Sequence, residues 1–194
     1  MVKNKKIVAI DEVGRGAIAG PLVLGAVLAE DNLKNRKTLR GIKDSKKLTF
    51  NQRILWFNKF QKTKFKFYDI FISNKIIDQK GMSFALKIGI EKLLKKIKIK
   101  PSIVLLDGGL KAPKEYQQKT IIKGDEKNPF IAAASIYAKV KRDLYMIELD
   151  KKYCYCFKDH KGYGTKKHFE LIKKNGISKI HRQSFLKKLN IVKK

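Results

Sequence analysis

Four carboxylates stand out among the 17 acids of a 194-residue chain that carries 46 Lys and Arg and a formal net charge of +29. Asp11 and Glu12 end the apolar run Ile7-Val8-Ala9-Ile10, Asp107 ends Ser102-Ile103-Val104-Leu105-Leu106, and Thr120-Ile121-Ile122 reads as a shorter strand ending at Gly124-Asp125. The carboxyl ends of strands are the edge at which α/β sheets build their sites. Carboxylates converging there repel one another and lose hydration, so they persist together only beside a compensating cation. Oxygen ligands alone select a hard ion, Mg²⁺ or Mn²⁺. Taken singly, each acid could equally cap its strand or accept hydrogen bonds from the next turn. Adjacent Asp11 and Glu12 also point to opposite faces of a regular strand. Either the strand is distorted there, or one carboxylate approaches from the other side.

The elements that must position these acids are legible from periodicity. Leu22 to Leu28 follows a Gly20-Pro21 turn signal and reads as a second strand, and the alternation over Phe65–Ile72 as a third. Thr49 to Gln61 and Phe84 to Ile97 place apolar residues at helical spacing, with a Lys-rich exposed side on the second. Asn128 is a good N-cap and Pro129 suits the first helical position, opening a long helix toward Leu149. Its Ala132-Ala133-Ala134 segment would let it lie close to a sheet. Beyond residue 150 the pattern weakens to a Tyr/Cys-rich connection, a His160-Lys161-Gly162-Tyr163-Gly164-Thr165 segment and short helical stretches near 166–174 and 183–189.

Composition bounds the function classes. A hydrophobic content of 43% excludes a disordered basic tail. No run of roughly 18 uncharged apolar residues exists, and the N-terminus leads into only a short apolar stretch that meets two acids, so neither a secretion signal nor membrane association is expected. Cys154 and Cys156 are the only cysteines, which excludes a disulfide scaffold and suits a reducing, cytoplasmic compartment. A closed zinc site from these two and His160 would lack a second cysteine pair. The positive charge attracts polyanions, nucleic acid first among them. Yet Lys outnumbers Arg 40 to 6, a bias that compositional drift would also produce. Lys95-Lys96 and Lys193-Lys194 read as solvated face and tail.

The segment Ala9-Ile10-Asp11-Glu12-Val13-Gly14-Arg15-Gly16-Ala17-Ile18-Ala19-Gly20-Pro21-Leu22 resembles the opening signature of bacterial ribonuclease HII. The resemblance continues in order through Asp44-Ser45-Lys46-Lys47-Leu48, Ile77-Asp78, Leu106-Asp107-Gly108 and Lys123-Gly124-Asp125. It resumes at Ala132 to Ile136, Ala138-Lys139-Val140, Arg142-Asp143, His160 to Tyr163, His168, and His181-Arg182 with Ser184-Phe185. Gly109 departs from the Asn usual after Asp-Gly. Only ten residues precede Asp11, and the Gly-Arg-Gly loop is present, which favours class HII over class HIII.

The resemblance implies an RNase H-like α/β fold with a mixed five-stranded sheet flanked by helices. Residues 1–150 would form the catalytic core, and 151–194 a C-terminal substrate-binding helical extension. It implies metal-dependent cleavage of RNA in RNA–DNA hybrids, including nicking at a single ribonucleotide in duplex DNA, with 5′-phosphate and 3′-hydroxyl ends. Asp11, Glu12, Asp107 and Asp125 match the family's catalytic acids, which would hold two ions, Mn²⁺ or Mg²⁺, about the scissile phosphate. Gly14, Arg15 and Gly16 would read the 2′-OH, Tyr163 would favour a deoxyribose on its 3′ side, and Lys46 would contact phosphate. Asp143, far along the same helix, reads as structural, and the three histidines as loop anchors. The family implies a monomer. A non-catalytic hybrid- or duplex-binding protein and another metal-dependent nuclease on the same fold are the competing readings.

Overall fold

The computed structural model describes residues 5–188; Lys193-Lys194 and residue 189 of the last expected helix lie outside them. Strands β1 (Lys6–Val13), β2 (Leu22–Glu30), β3 (Lys66–Ile72), β4 (Ile103–Asp107) and β5 (Gln118–Ile121) form one sheet in the order β3-β2-β1-β4-β5. The β1–β2 and β2–β3 pairs are antiparallel, and the β1–β4 and β4–β5 pairs parallel, so the sheet is mixed, as expected. Helices α1 (Leu33–Thr38), α2 (Phe50–Gln61), α3 (Asn74–Ile97), α4 (Gly124–Lys127), α5 (Pro129–Asp150), α6 (Phe157–His160), α7 (Lys166–Asn175) and α8 (Gln183–Lys188) surround it.

Strand alternation divides the interior into two layers. Val8 and Ile10 of β1 join Leu22 and Leu24 of β2, Val104 and Leu106 of β4, and Ile90, Leu93 and Leu94 of α3. Ile7 and Ala9 face the other way, toward Phe130, Ile131, Ala134 and Val140 of α5 and Phe60 of α2. The small residues of α5 do bring it close to the sheet. A side chain at Gly25 would meet Ala138 Cβ at 2.7 Å and the Ala134 carbonyl at 2.8 Å. A third cluster joins Ile18, Ala19 and Met146 to Tyr155, Phe157, Ile172 and Leu186, so the described part of the chain beyond residue 150 packs against the core.

Local chemistry sets the ends. Thr49 and Gln52 form a capping box on α2, and Asn128 caps α5 by accepting from the Phe130 and Ile131 amides, with Pro129 at its start. Helix α3 begins ten residues earlier than its apolar spacing indicates. Ser73 caps it and Gly81, at φ 81°, breaks its regularity, which is why the periodicity is readable only past the kink. Strand β5 is shifted toward polar Gln118, because its register is dictated by pairing with β4 rather than by its own hydrophobicity. Ile122, expected to be in it, is 73% exposed. The four- and six-residue helices α6 and α1 are too short to show a period.

Candidate active site

Asp11 and Asp107 project from neighbouring parallel strands, one residue beyond the paired Ile10 and Leu106. Both share the parity of residues that face α5, so they emerge on the same side of the sheet. Asp125 arrives differently from the sequence reading, which put it at the end of a strand. The chain leaves β5 at Ile121, Lys123 adopts a left-handed conformation, and Asp125 sits in the first turn of α4. The Gly124 amide donates to Asp107 Oδ1 at 2.6 Å, tying this turn to β4. As a result, one carboxylate oxygen each from Asp11, Asp107 and Asp125 lies within 4.8 Å of the other two.

Glu12 is not in that trio. Strand β1 remains regular through Val13, so Glu12 has the parity of Ile10, opposite to Asp11, yet Asp107 raises and Lys46 lowers its proton affinity, so its carboxylate still lies within reach of the acid cluster. Of the two alternatives for the adjacent acids, the second holds. Glu12 forms an ion pair with Arg15 at 3.7 Å, and its charge still acts on Asp11.

Burial and crowding dominate the electrostatics. Asp11 is 5% exposed, and its carboxyl is pushed well above the usual range by burial, then by the charges of Glu12 and Asp107, against a hydrogen bond from Ser135. Glu12 is raised by burial, opposed by Arg15. Asp125 is raised by burial and by Asp44 and Asp107. Holding all of these ionised requires positive charge. Lys46, 3.5 Å from Asp125, is the nearest protein source, but its side chain is 79% exposed. Burial lowers the Lys46 ammonium's affinity for its proton, yet Asp125, Asp44 and Asp11 together raise it. Three converging carboxylates, with burial raising the proton affinity of Asp11 and Asp125 and no buried cation against them among the described residues, suit a hard divalent ion.

Asp44 and Ser135 complete this surround, and the sequence reading gave neither a role at the site. Asp44, 8% exposed, caps the turn at Ser45–Lys47. Ser135 contacts Asp11 and shares a 2.9 Å hydrogen bond with Ser45. The signal for Ser135 was available, as a lone hydroxyl within an otherwise apolar stretch of α5.

The Gly-Arg-Gly loop leaves β1 directly after these acids. Gly14 is buried at φ 88°, whereas Arg15 and Gly16 are exposed. Two fully buried arginines support the loop, a role for which the sequence reading had no place. Arg142 donates to the carbonyls of Pro21, Ala19 and Lys161 at 2.9, 3.1 and 2.8 Å, and lies over the Tyr163 ring. Arg182 donates to the carbonyls of Gly20 and Arg15 at 3.1 and 3.0 Å. The Ile18 and Ala19 amides both donate to the Gly162 carbonyl. Tyr163 is thus brought against the loop through Arg142, although it lies 147 residues beyond Gly16. Asp143 is 1% exposed and pairs with Lys139 at 2.7 Å and Arg53 at 3.3 Å, a structural place. Cys154 and Cys156 are free thiols. No helix among the described residues is long and apolar enough to cross a membrane.

Comparison with known proteins agrees with this geometry. The family model for Ribonuclease HII matches residues 8–188. The chain is 40% identical over 184 residues to the Ribonuclease HII of Caldicellulosiruptor bescii, covering 94% of this chain and 87% of that one. It is similar to the crystal structure of the ribonuclease H2 from Pyrococcus horikoshii OT3, with a TM-score of 0.74, 30% identity and 96% of each chain covered. It is likewise similar to a structure of the PCNA:RNase HII complex from Archaeoglobus fulgidus, with a TM-score of 0.78, 27% identity and 97% of each chain covered. With converging carboxylates at the strand ends and the match spanning nearly its whole length, the chain belongs to the ribonuclease HII family of metal-dependent endonucleases that degrade RNA in RNA–DNA hybrids.

Proposed function

We propose that this enzyme, acting as a cytoplasmic monomer, also nicks duplex DNA on the 5′ side of a single ribonucleotide, using two divalent ions, Mn²⁺ or Mg²⁺. The observation that carries this reading is the direct chain continuity between Asp11, in the carboxylate trio, and the exposed Arg15-Gly16 segment. A scissile phosphate at the trio then has its own ribose within reach of that loop's backbone.

Asp11, Asp107 and Asp125 would hold the ions, and Glu12, whose charge is coupled to Asp11 and Asp107, would complete the ligand charge. Divalent ions held by these acids would supply activation of a water for in-line attack and compensation of the charge on the leaving 3′ oxygen, with 5′-phosphate and 3′-hydroxyl ends as products. Main-chain groups of Gly14, Arg15 and Gly16 contact the 2′-OH, which is both donor and acceptor. Tyr163 packs on the next sugar and is crowded by a 2′-OH there, so a deoxyribose is preferred. Lys46, exposed beside Asp125, would contact the phosphate backbone. Residues 1–150 supply the chemistry, and the region 151–194 supplies Tyr163 as a substrate-binding extension.

A panel of three duplexes tests this: all-DNA, RNA–DNA hybrid, and DNA with one ribonucleotide. Cleavage of the last at one site, abolished by EDTA and in Asp107→Asn, is the expected result. Cutting of all-DNA branched substrates would instead indicate another nuclease on this fold. Salt-sensitive binding without cleavage under any divalent ion would indicate a binding protein.

A further inference from the structure

His160, His168 and His181 come together in the third apolar cluster, all buried, with the His160 and His168 rings stacked at 4.2 Å. Their hydrogen bonds leave a single assignment of protons. The Ser178 hydroxyl and amide both reach His181 Nδ1, at 2.9 and 3.0 Å; the hydroxyl can serve either way but the amide can only donate, so that nitrogen is unprotonated and His181 carries its proton on Nε2. His181 Nε2 lies 3.1 Å from His168 Nε2, and must donate to it. His168 is then protonated on Nδ1, which lies 2.9 Å from the Tyr163 carbonyl and donates to it. His160 is fixed as well, accepting from the Gly162 amide at Nδ1 and donating from Nε2 to the Tyr155 carbonyl. Each ring is neutral with both nitrogens occupied. The three bonds from Ser178 to Tyr163 run in one direction, because each ring's tautomer is dictated by the one before it.

This relay ends on the backbone of the tyrosine beside the Gly-Arg-Gly loop. It also begins on the segment that bridges that loop, since Ala19 pairs with His181 and the Arg182 amide donates to the Ile18 carbonyl. We propose that His168, held in its Nδ1–H tautomer by His181, is a positioning residue that sets the Tyr163 main chain. Through it, His168 sets the enzyme's preference for a lone ribonucleotide over a continuous RNA strand. The proposal rests on the reading of Tyr163 given above.

Two substitutions divide the ring's functions. His168→Asn keeps an amide donor near the Nδ1 position but no acceptor for His181, while His168→Gln offers an acceptor near Nε2 and no donor to Tyr163. Both should lower the melting temperature. The ratio of kcat/KM on a one-ribonucleotide duplex to that on an RNA–DNA hybrid should stay within about threefold of the parent in the Asn variant and fall at least about tenfold in the Gln variant. Equal ratios in the two variants, or ratios that follow only stability, would overturn the proposal. Tyr163→Ala is measured beside them. If its ratio is unchanged, the reading of Tyr163 fails and the inference with it; if its ratio collapses while that of His168→Gln does not, only the inference fails. Should either His168 variant not fold, ¹⁵N imidazole spectra of the unaltered protein decide. A proton on His168 Nδ1 and on His181 Nε2 is expected, and the opposite tautomer at either ring would refute the relay.

Discussion

Gly14 lies so close to Arg142 that a methyl group in place of its hydrogen would stand 2.2 Å from the guanidinium Nε. Arg142 cannot retreat, because three carbonyls hold it and it is fully buried. Gly14 also has a φ of 88°, which disfavours any side chain. Gly16, in the same motif, has open space around its Cβ position. Gly14→Ala should therefore cost at least about 2 kcal/mol of stability, while Gly16→Ala stays within about 0.5 kcal/mol. Urea midpoints of the two variants check the difference, and similar losses would show that the motif's glycines serve one common purpose.

Removing one charge from the acid trio should stabilise the protein when no divalent ion is present. Burial and mutual repulsion disfavour an ionised Asp11, and Asp11→Asn keeps the shape without the charge. The melting temperature in EDTA should rise by about 2–4 °C, the equivalent of ~1 kcal/mol for a chain of this size. The further rise on adding Mn²⁺, large in the parent, should nearly vanish. Cleavage should fall at least ~10³-fold, about 4 kcal/mol of barrier. A lower melting temperature in EDTA would mean that the carboxylate is structurally compensated.

Acid should loosen the histidine cluster before it reaches the rest of the fold. Burial lowers His168 and His181 from the ordinary 6.5 to about 4, with neighbouring histidines adding to it and, at His168, the bond to the Tyr163 carbonyl opposing it. The unfolded chain thus takes up these protons first. The contribution of the neutral rings is complete above pH 6.5 and is lost as pH falls from there toward 4. Between pH 7 and 5 the two together should remove about 2–4 kcal/mol of stability. Urea unfolding across this range, with His181→Gln as comparison, measures it. A parent and variant with the same pH slope would contradict the shifts.

Asp143 neutralises two cations from different elements, Arg53 of α2 and Lys139 of α5. Arg53 also donates to the carbonyls of Ser45 and Leu48, which hold the turn carrying Lys46. Asp143→Asn should cost about 3 kcal/mol, because it leaves both cations poorly compensated in a buried place. It should also raise KM for a hybrid more than it lowers kcat, since the turn moves while the acid trio keeps its ligands. Steady-state kinetics separates the two parameters.

The sequence by itself determined most of the strands and the principal helices, and it singled out the acids that the structure then brings near one another. Hydrophobic periodicity and capping residues are local properties, as the runs before Asp11 and Asp107 and the Asn128-Pro129 cap show. Sequence also carried the family, through motifs that keep their order along nearly the whole chain. Only the tertiary structure decided which acids meet. Strand parity sends Asp11 toward Asp107 and leaves Glu12 outside the trio, and a left-handed Lys123 delivers Asp125 from a helix rather than a strand. The same holds for Arg142, Arg182 and the histidine relay, whose partners are backbone carbonyls and rings far away in the chain. A carbonyl acceptor has no residue identity, so no spacing or composition marks it; only the folded packing of the loops against α5 brings it to its donor.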